Sequence, residues 1–410
     1  VEPTPSVSVS EAVDPAGLED RYGVRNYDPL SVVISRGAGS WVEDVDGRRY
    51  FDALSAYSAL NFGHRHPRLV AAAHEQLDRL TLTSRAFRND RIGEFCRALA
   101  EACSMDRVLP MNTGAEAVET AIKAARKWGY EDKGVAPGRA KIIVCGGNFH
   151  GRTTTIVSFS DDPSARNSFG PFTPGFETVP FGDLAALEAA LGDPDAVAFL
   201  VEPVQGEAGV IIPPAGYLAG ARELCTEADV LMIADEIQSG LGRTGRTFAC
   251  EHEEVAPDLM LLGKALGGGI VPTSAVVGSD RVLGLFQPGQ HGSTFGGNPL
   301  ACAIAVEVLE LLADGSLQRN ATELGGRMRG SLEAAAHPAV TEIRQIGLWI
   351  GVDIAGEVAT ARAACERLLA IGVLAKETQE RTIRFAPPLT STVAELDWVL
   401  ERVNGVLAEL

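Results

Sequence analysis

Between residues 141 and 277 the chain repeats one pattern, a short and mainly apolar run followed by a longer amphipathic stretch. The runs are Lys141 to Cys145, Ala196 to Val201, Val230 to Ala234, Leu259 to Leu262 and Ser274 to Val277. None alternates apolar with polar residues, so each predicts a strand buried on both faces. Together they predict an α/β fold, with a large domain built on a mainly parallel sheet covered by helices. Thr113 to Tyr130 predicts one of those helices, because Val118, Ala121, Ile122, Ala125 and Trp128 fall on a single face. Thr113 and Glu116 form a capping-box pattern at its start. Pro299 to Leu312 carries the same spacing and predicts a helix leading out of the large domain.

Beyond it, Ile343 to Ile354 and Thr382 to Phe385 read as strands, and Thr360 to Ile371 and Thr392 to Leu410 as helices. Near the other end, Ser40 to Ala53 reads as a hairpin around Asp46-Gly47, a pair that tolerates the positive φ of a tight turn. The expected organisation is a flexible arm over residues 1–20, an N-terminal part of a small domain over 21–60, a large domain over 61–300 and a C-terminal small α+β domain over 301–410.

Composition narrows the field of functions. Hydrophobic residues make up 46% and charged residues 22% of the 410, which excludes a disordered or fibrous chain. A net charge of −18 argues against nucleic acid or an anionic membrane as partner. No apolar run approaches the roughly 20 residues of a membrane helix. Seven scattered cysteines without a C-x-x-C pair predict a cytoplasmic protein rather than a disulfide framework. Val1 to Asp20 lacks the basic and apolar regions of a signal peptide.

Candidate chemistry begins with Val230-Leu-Met-Ile-Ala-Asp235, which places a carboxylate at the carboxyl end of a buried strand, where open α/β sheets bind ligands. Taken alone, Asp235 would as readily cap the next turn. Lys264 changes the balance. Of six lysines it alone lies between a wholly apolar run, Leu259 to Leu262, and the small residues Ala265 to Gly269. A desolvated lysine is a nucleophilic amine. With a strand-end carboxylate to hold a pyridine nitrogen, it suggests pyridoxal 5'-phosphate. Thr113-Gly114-Ala115 could offer a phosphate backbone N–H groups at a helix start, and Gly292 to Gly297 could add donors. Three further patterns carry less. Gly240-Leu-Gly242-Arg-Thr-Gly245 fits G-x-G-x-x-G, but no helical period follows it. Gly263-Lys264 lacks the upstream glycine of a phosphate-binding loop, and His64 with His66 has no companions for a metal.

Ile233-Ala-Asp235-Glu236-Ile-Gln238-Ser-Gly240 and Leu262-Gly-Lys264-Ala-Leu-Gly-Gly resemble the signature of class III aminotransferases, which depend on pyridoxal phosphate. Within that class, the chain from about Tyr22 onward is similar to the ornithine aminotransferase branch. Segments carrying this include Arg25-Asn-Tyr27, Ser55-Ala-Tyr57, Leu80 to Phe87, Val201-Glu202-Pro-Val-Gln-Gly-Glu207, His291-Gly-Ser-Thr294 and Ile383-Arg384-Phe.

The resemblance implies a fold-type I homodimer with active sites at the interface and the small domain drawn from both termini. It implies that the δ-amino group of ornithine passes to 2-oxoglutarate, giving glutamate 5-semialdehyde, hence pyrroline-5-carboxylate, and glutamate. Acetylornithine, 4-aminobutyrate or lysine 6-amino transfer would keep the same core residues. Lys264 would hold the cofactor covalently, Asp235 its ring nitrogen and Gln238 its phenolic oxygen. Phe149 would stack on the ring, and Thr113, Gly114 and Ala115 would hold the phosphate, with Ser293 and Thr294 reaching it from the second subunit. Tyr27, Tyr57, Arg152 and Glu202 would line the substrate end, and Glu207 and Arg384 would form a switchable pair there. No metal is implied. At position 150 this chain has His where animal members of the branch carry Trp, so the shape of the substrate pocket is expected to differ there.

Overall fold

The computed structural model describes residues 14–410. Ala196–Val201 is buried along its whole length, as a run with no polar position requires, and lies inside a seven-stranded sheet. In spatial order the strands are Arg107–Met111, Ser274–Gly278, Leu259–Leu262, Leu231–Asp235, Ala196–Val201, Lys141–Cys145 and Phe176–Val179. Only Ser274–Gly278 runs against its neighbours. The carboxyl ends of the other six therefore share one edge, the edge at which such sheets bind ligands. The helix Gly114–Trp128 starts at this edge and buries Val118, Ala121, Ile122, Ala125 and Trp128 against the sheet. Both halves of its capping box are formed.

The hairpin at Asp46-Gly47 pairs Trp41–Asp44 with Arg49–Asp52, and the latter also pairs with Val373–Leu374 from the far end of the chain. Phe51 and Ala53 thereby join a core made otherwise of residues 321 to 407, so the second body is built from both termini. Its other four-stranded sheet contains Val340–Ile346, Trp349–Ile354, Thr382–Phe385 and Lys376–Thr378.

Three placements depart from expectation. The strand expected over Ile343 to Ile354 is a hairpin turning at Gly347-Leu348. The helix Pro299–Leu312 buries Cys302, Ile304, Ala305 and Val308 against Leu69, Phe95, Leu99 and Met260, so it packs with the large sheet and a boundary at residue 300 falls one helix early. Pro15–Tyr22, expected within an irregular arm, is a helix with no buried residue, begun by a proline whose missing N–H has no partner to lose there. The rest of that arm lies outside the described residues.

The glycine-rich segment Gly240 to Gly245 joins the two bodies. Fully buried Arg243 donates to Oδ1 of Asn61 at 2.6 Å and to the carbonyls of Leu348 at 2.9 Å and Pro387 at 2.8 Å. Gly347 turns against it at φ +53°, where an added Cβ would lie 2.2 Å from the Thr244 carbonyl carbon.

Candidate active site

Five strands or their following loops deliver a residue to one cavity. Gly114 and Ala115 follow Arg107–Met111, Phe149 and His150 follow Lys141–Cys145, Glu202 follows Ala196–Val201, Asp235 ends its own strand, and Lys264 follows Leu259–Leu262. These residues, with Gly151, Val204, Ile237 and Gln238, enclose about 200 Å³. Lys264 also borders a second space of about 380 Å³, with Asn112, Thr113, Gly114, Ala56 and Ile270.

Lys264 sits at φ +44°, a conformation that costs a side-chain-bearing residue of order 1–3 kcal/mol and that packing must enforce. Burial lowers the proton affinity of its amine, against the opposing pull of Glu207, Asp235 and Glu202, and the net shift is downward. The shift is towards the uncharged, nucleophilic amine, as its apolar neighbours suggest.

Asp235 is 5% exposed. Its Oδ1 accepts the Ile237 N–H at 3.1 Å, and its Oδ2 lies 2.6 Å from Nδ1 of His150. The turn-capping role and a ligand-facing role thus coexist on one side chain. Glu202 is 6% exposed and its Oε2 accepts the Phe149 N–H at 2.9 Å. Burial pushes its carboxyl up to about 7, with His150 opposing and Asp235 reinforcing the shift.

At the helix start, Glu116 takes the N–H groups of Asn112 and Thr113, while the Thr113 hydroxyl takes the Glu116 N–H. The N–H groups of Gly114 and Ala115 are not among those the box consumes, and both residues line the cavity. A Cβ on Gly114 would stand 3.2 Å from Ile237, so a small residue keeps this wall open.

Arg384 and Glu207 meet at 2.7 Å between Nη1 and Oε1. The guanidinium carbon also lies 5.1 Å from the centre of the Tyr57 ring. Burial alone would raise the Glu207 carboxyl, but the Arg384 charge more than reverses this, and the net shift is downward. Tyr57 projects from a turn, Ser55–Ser58, whose four residues all have φ between +47° and +68°. A left-handed turn without glycine was not foreseeable from spacing, and it costs roughly 1–2 kcal/mol per residue.

Arg152 is exposed over the Phe149 ring, 5.7 Å from its centre, in an outer cavity of about 780 Å³ that also includes Glu207 and Thr378. Tyr27 is 73% exposed and lines none of these spaces. Within one chain Ser293 and Thr294 stay outside the cavity: the Ser293 Oγ accepts from Asn112 Nδ2 at 2.7 Å, and Thr294 is exposed. Sequence reasoning missed the His150–Asp235 contact, which joins residues 85 apart with no shared motif.

The profile of the family described as "Aminotransferase class-III" matches residues 22–407. The chain belongs to the class-III aminotransferases. Among curated relatives, an ornithine aminotransferase of Bordetella pertussis is 56% identical over 391 residues, covering 95% of each chain, and one of Bacillus subtilis is 52% identical over 386 residues, covering 94% of this chain and 95% of that one. Among solved structures, ornithine aminotransferase from Toxoplasma gondii superposes with a TM-score of 0.95 at 48% identity, covering 96% and 94% of the two chains. An acetylornithine aminotransferase from Elizabethkingia anophelis gives 0.87 at 44% identity, covering 96% and 98%.

Class-III aminotransferases work with pyridoxal 5'-phosphate. The donor set in this chain fits that group: an amine in a dry pocket, a strand-end carboxylate across the same cavity, an aromatic face at Phe149 and two helix-terminal N–H groups. Among the described residues, no group of three His, Cys, Asp or Glu side chains could hold a metal, and no helix is long and apolar enough to cross a membrane.

Proposed function

We propose that this class-III aminotransferase moves the δ-amino group of L-ornithine to 2-oxoglutarate, forming glutamate 5-semialdehyde, which cyclises to pyrroline-5-carboxylate, and L-glutamate. The observation that carries this reading is the closed Glu207–Arg384 pair beside Tyr57 and the lysine cavity. An arginine free at that place would take the α-carboxylate of ornithine and present the α-amine; an arginine masked by a carboxylate leaves the δ-amine to enter. The same arginine, unmasked, suits the second carboxylate of 2-oxoglutarate. Curated relatives more than half identical carry the same activity in their names.

When bound, pyridoxal phosphate supplies an aldehyde that takes up the amino group and a protonated ring that withdraws electrons from the adjoining carbon. Lys264 Nζ is the covalent anchor and, once free, carries the proton away from Cδ of the substrate. Asp235 would hold the proton at the ring nitrogen, and Gln238 and Phe149, which line the same cavity, would hold the phenolic oxygen and the ring. Gly114 and Ala115 hold the phosphate through their N–H groups, while Thr113, its hydroxyl committed to the helix cap, fixes where that helix begins. Tyr57 and Arg152 orient the distal end of ornithine. Tyr27, exposed in one chain, would join them from beside Tyr57, whose phenol it already influences. Glu202 serves the cofactor side of the cavity rather than the substrate.

The active unit in this reading is a homodimer. Ile270, on the wall of the second cavity, and Phe295, next to Thr294, are exposed. Ser293 and Thr294 of a second copy would supply the hydroxyls that one chain leaves outside its own site. Seven unbonded thiols, five of them buried, suit the reducing cytoplasm we assign it to.

The structural likeness to an acetylornithine aminotransferase favours N-acetylornithine as second reading. A donor panel of ornithine, N-acetylornithine, 4-aminobutyrate and lysine with 2-oxoglutarate, products identified by mass spectrometry, separates them. Ornithine is expected to give the highest kcat/KM, and a higher value for N-acetylornithine overturns the assignment.

A further inference from the structure

The animal members of the branch with Trp at position 150 suggest that this residue shapes the amine-donor pocket. The geometry points elsewhere. The His150 side chain has no exposed surface, its Nδ1 is 2.6 Å from Oδ2 of Asp235, and its Nε2 is buried without a partner. The far side of the imidazole meets Phe159, ring centres 6.0 Å apart. Residue 150 borders both the lysine cavity and the outer one, yet its side chain presents no exposed surface to either.

We propose that His150 is a positioning residue for the cofactor, donating its Nδ1–H to Asp235 so that the carboxylate stays aimed at the ring nitrogen, and that it plays no part in choosing the amine donor. This rests on the pyridoxal phosphate reading of the cavity.

A carboxylate accepts and cannot donate, so the shared proton identifies Nδ1 as protonated. With Ile237 N–H on Oδ1 and His150 on Oδ2, both oxygens of Asp235 have a protein donor and the group cannot rotate freely. Without His150 the Oδ2 oxygen would lose its protein donor, and the carboxylate could turn away from the ring nitrogen it must face. The charged groups around the imidazole are Asp235 and Glu202, and Lys264 faces both carboxylates. Burial lowers the proton affinity of the imidazole, but the bond to Asp235 and its charge, with a lesser pull from Glu202 once that group ionises, outweigh it, and the net shift is upward, which strengthens the donor. Glu202 contributes through the backbone: by taking the Phe149 N–H it fixes the peptide from which His150 projects.

The test uses the protein loaded with 4-deoxypyridoxine 5'-phosphate, a cofactor analogue without the aldehyde, whose ultraviolet spectrum reports protonation of its ring nitrogen independently of turnover. In the wild-type protein the nitrogen is expected to stay protonated across neutral pH. In His150→Phe its apparent pKa should fall by about one unit or more, and His150→Asn, whose side-chain N–H replaces Nδ1–H, should restore it. The kcat/KM ratio of ornithine to N-acetylornithine should stay within about twofold in both variants. A wild-type titration in His150→Phe overturns the proposal, whether or not the donor ratio moves. Should that variant fail to fold, nitrogen-15 spectra of histidine in the wild-type holoenzyme decide the matter: Nδ1 of His150 carrying its proton supports the proposal, and a bare Nδ1 overturns it. Neither result depends on which amine is the substrate, so the donor panel stands or falls separately.

Discussion

Replacing Glu207 by alanine exposes the logic of the buried arginine most sharply. Arg384 is 3% exposed; its hydrogen bonds go to the Glu207 carboxylate at 2.7 Å and the Gly206 carbonyl at 3.4 Å, and its Nε has no partner. Removing the one carboxylate leaves a buried guanidinium uncompensated, at a cost of about 2–5 kcal/mol. A substrate carboxylate that enters can restore part of this. If it restores half, about 1–2.5 kcal/mol, the half-reaction that brings a dicarboxylate gains roughly 5- to 70-fold in kcat/KM. Glutamate as donor should therefore improve in Glu207→Ala, while the preference for the δ-amine of ornithine over its α-amine falls by a similar factor. Stopped-flow absorbance reads the two half-reactions separately. The protein should also unfold at lower temperature than wild type and regain part of the difference with 2-oxoglutarate, because a ligand that binds only the folded state stabilises it. Equal slowing of both half-reactions would show the pair to be structural and refute the switch.

Three further outcomes follow from the site. Lys264→Ala should lose turnover while keeping its fold, and borohydride reduction of the wild-type protein should place the pyridoxyl label on Lys264; a label on any of the other five lysines contradicts the assignment. Asp235→Asn should still take up cofactor but slow by orders of magnitude in proton abstraction, and near wild-type turnover would remove Asp235 from the chemistry. Glu202, whose carboxyl is held up at about 7, binds a proton in the folded state that the unfolded chain has already released above about 4.5, so stability should fall as pH rises between those values. The loss is roughly 3 kcal/mol in order of magnitude. Chemical denaturation at several pH values should show this slope in wild type and a flatter one in Glu202→Gln; identical slopes would count against it.

The sheet was legible because strands buried on both faces leave unbroken apolar runs, and Lys141–Cys145, Ala196–Val201 and Leu259–Leu262 occur over the expected residues. The helix of residues 114–128 was legible from its cap and its stripe. The hairpin at Gly347 was not, since its turn contains Leu348 and the apolar run crosses it unbroken; what demands the turn is the Arg243 to Gly245 loop packed against Gly347. The helix Pro299–Leu312 had a readable period, but period alone does not say which body it packs on. Within the site, Asp235 and Lys264 stood out because charge at the end of an apolar run is costly and needs a reason. The left-handed turn at Tyr57 and the His150–Asp235 bond left no such mark. Both depend on which distant segments the fold brings together, and the second changes what position 150 does.

The central claim is that the site takes ornithine by its δ-amine. Ornithine labelled with nitrogen-15 at the δ position, incubated with the holoenzyme and 2-oxoglutarate, tests it directly by mass spectrometry. Labelled glutamate is expected, with an unlabelled co-product, pyrroline-5-carboxylate, that retains its α-nitrogen. Unlabelled glutamate, with the label left in the ornithine-derived product, would mean that the α-amine had reacted and would contradict it.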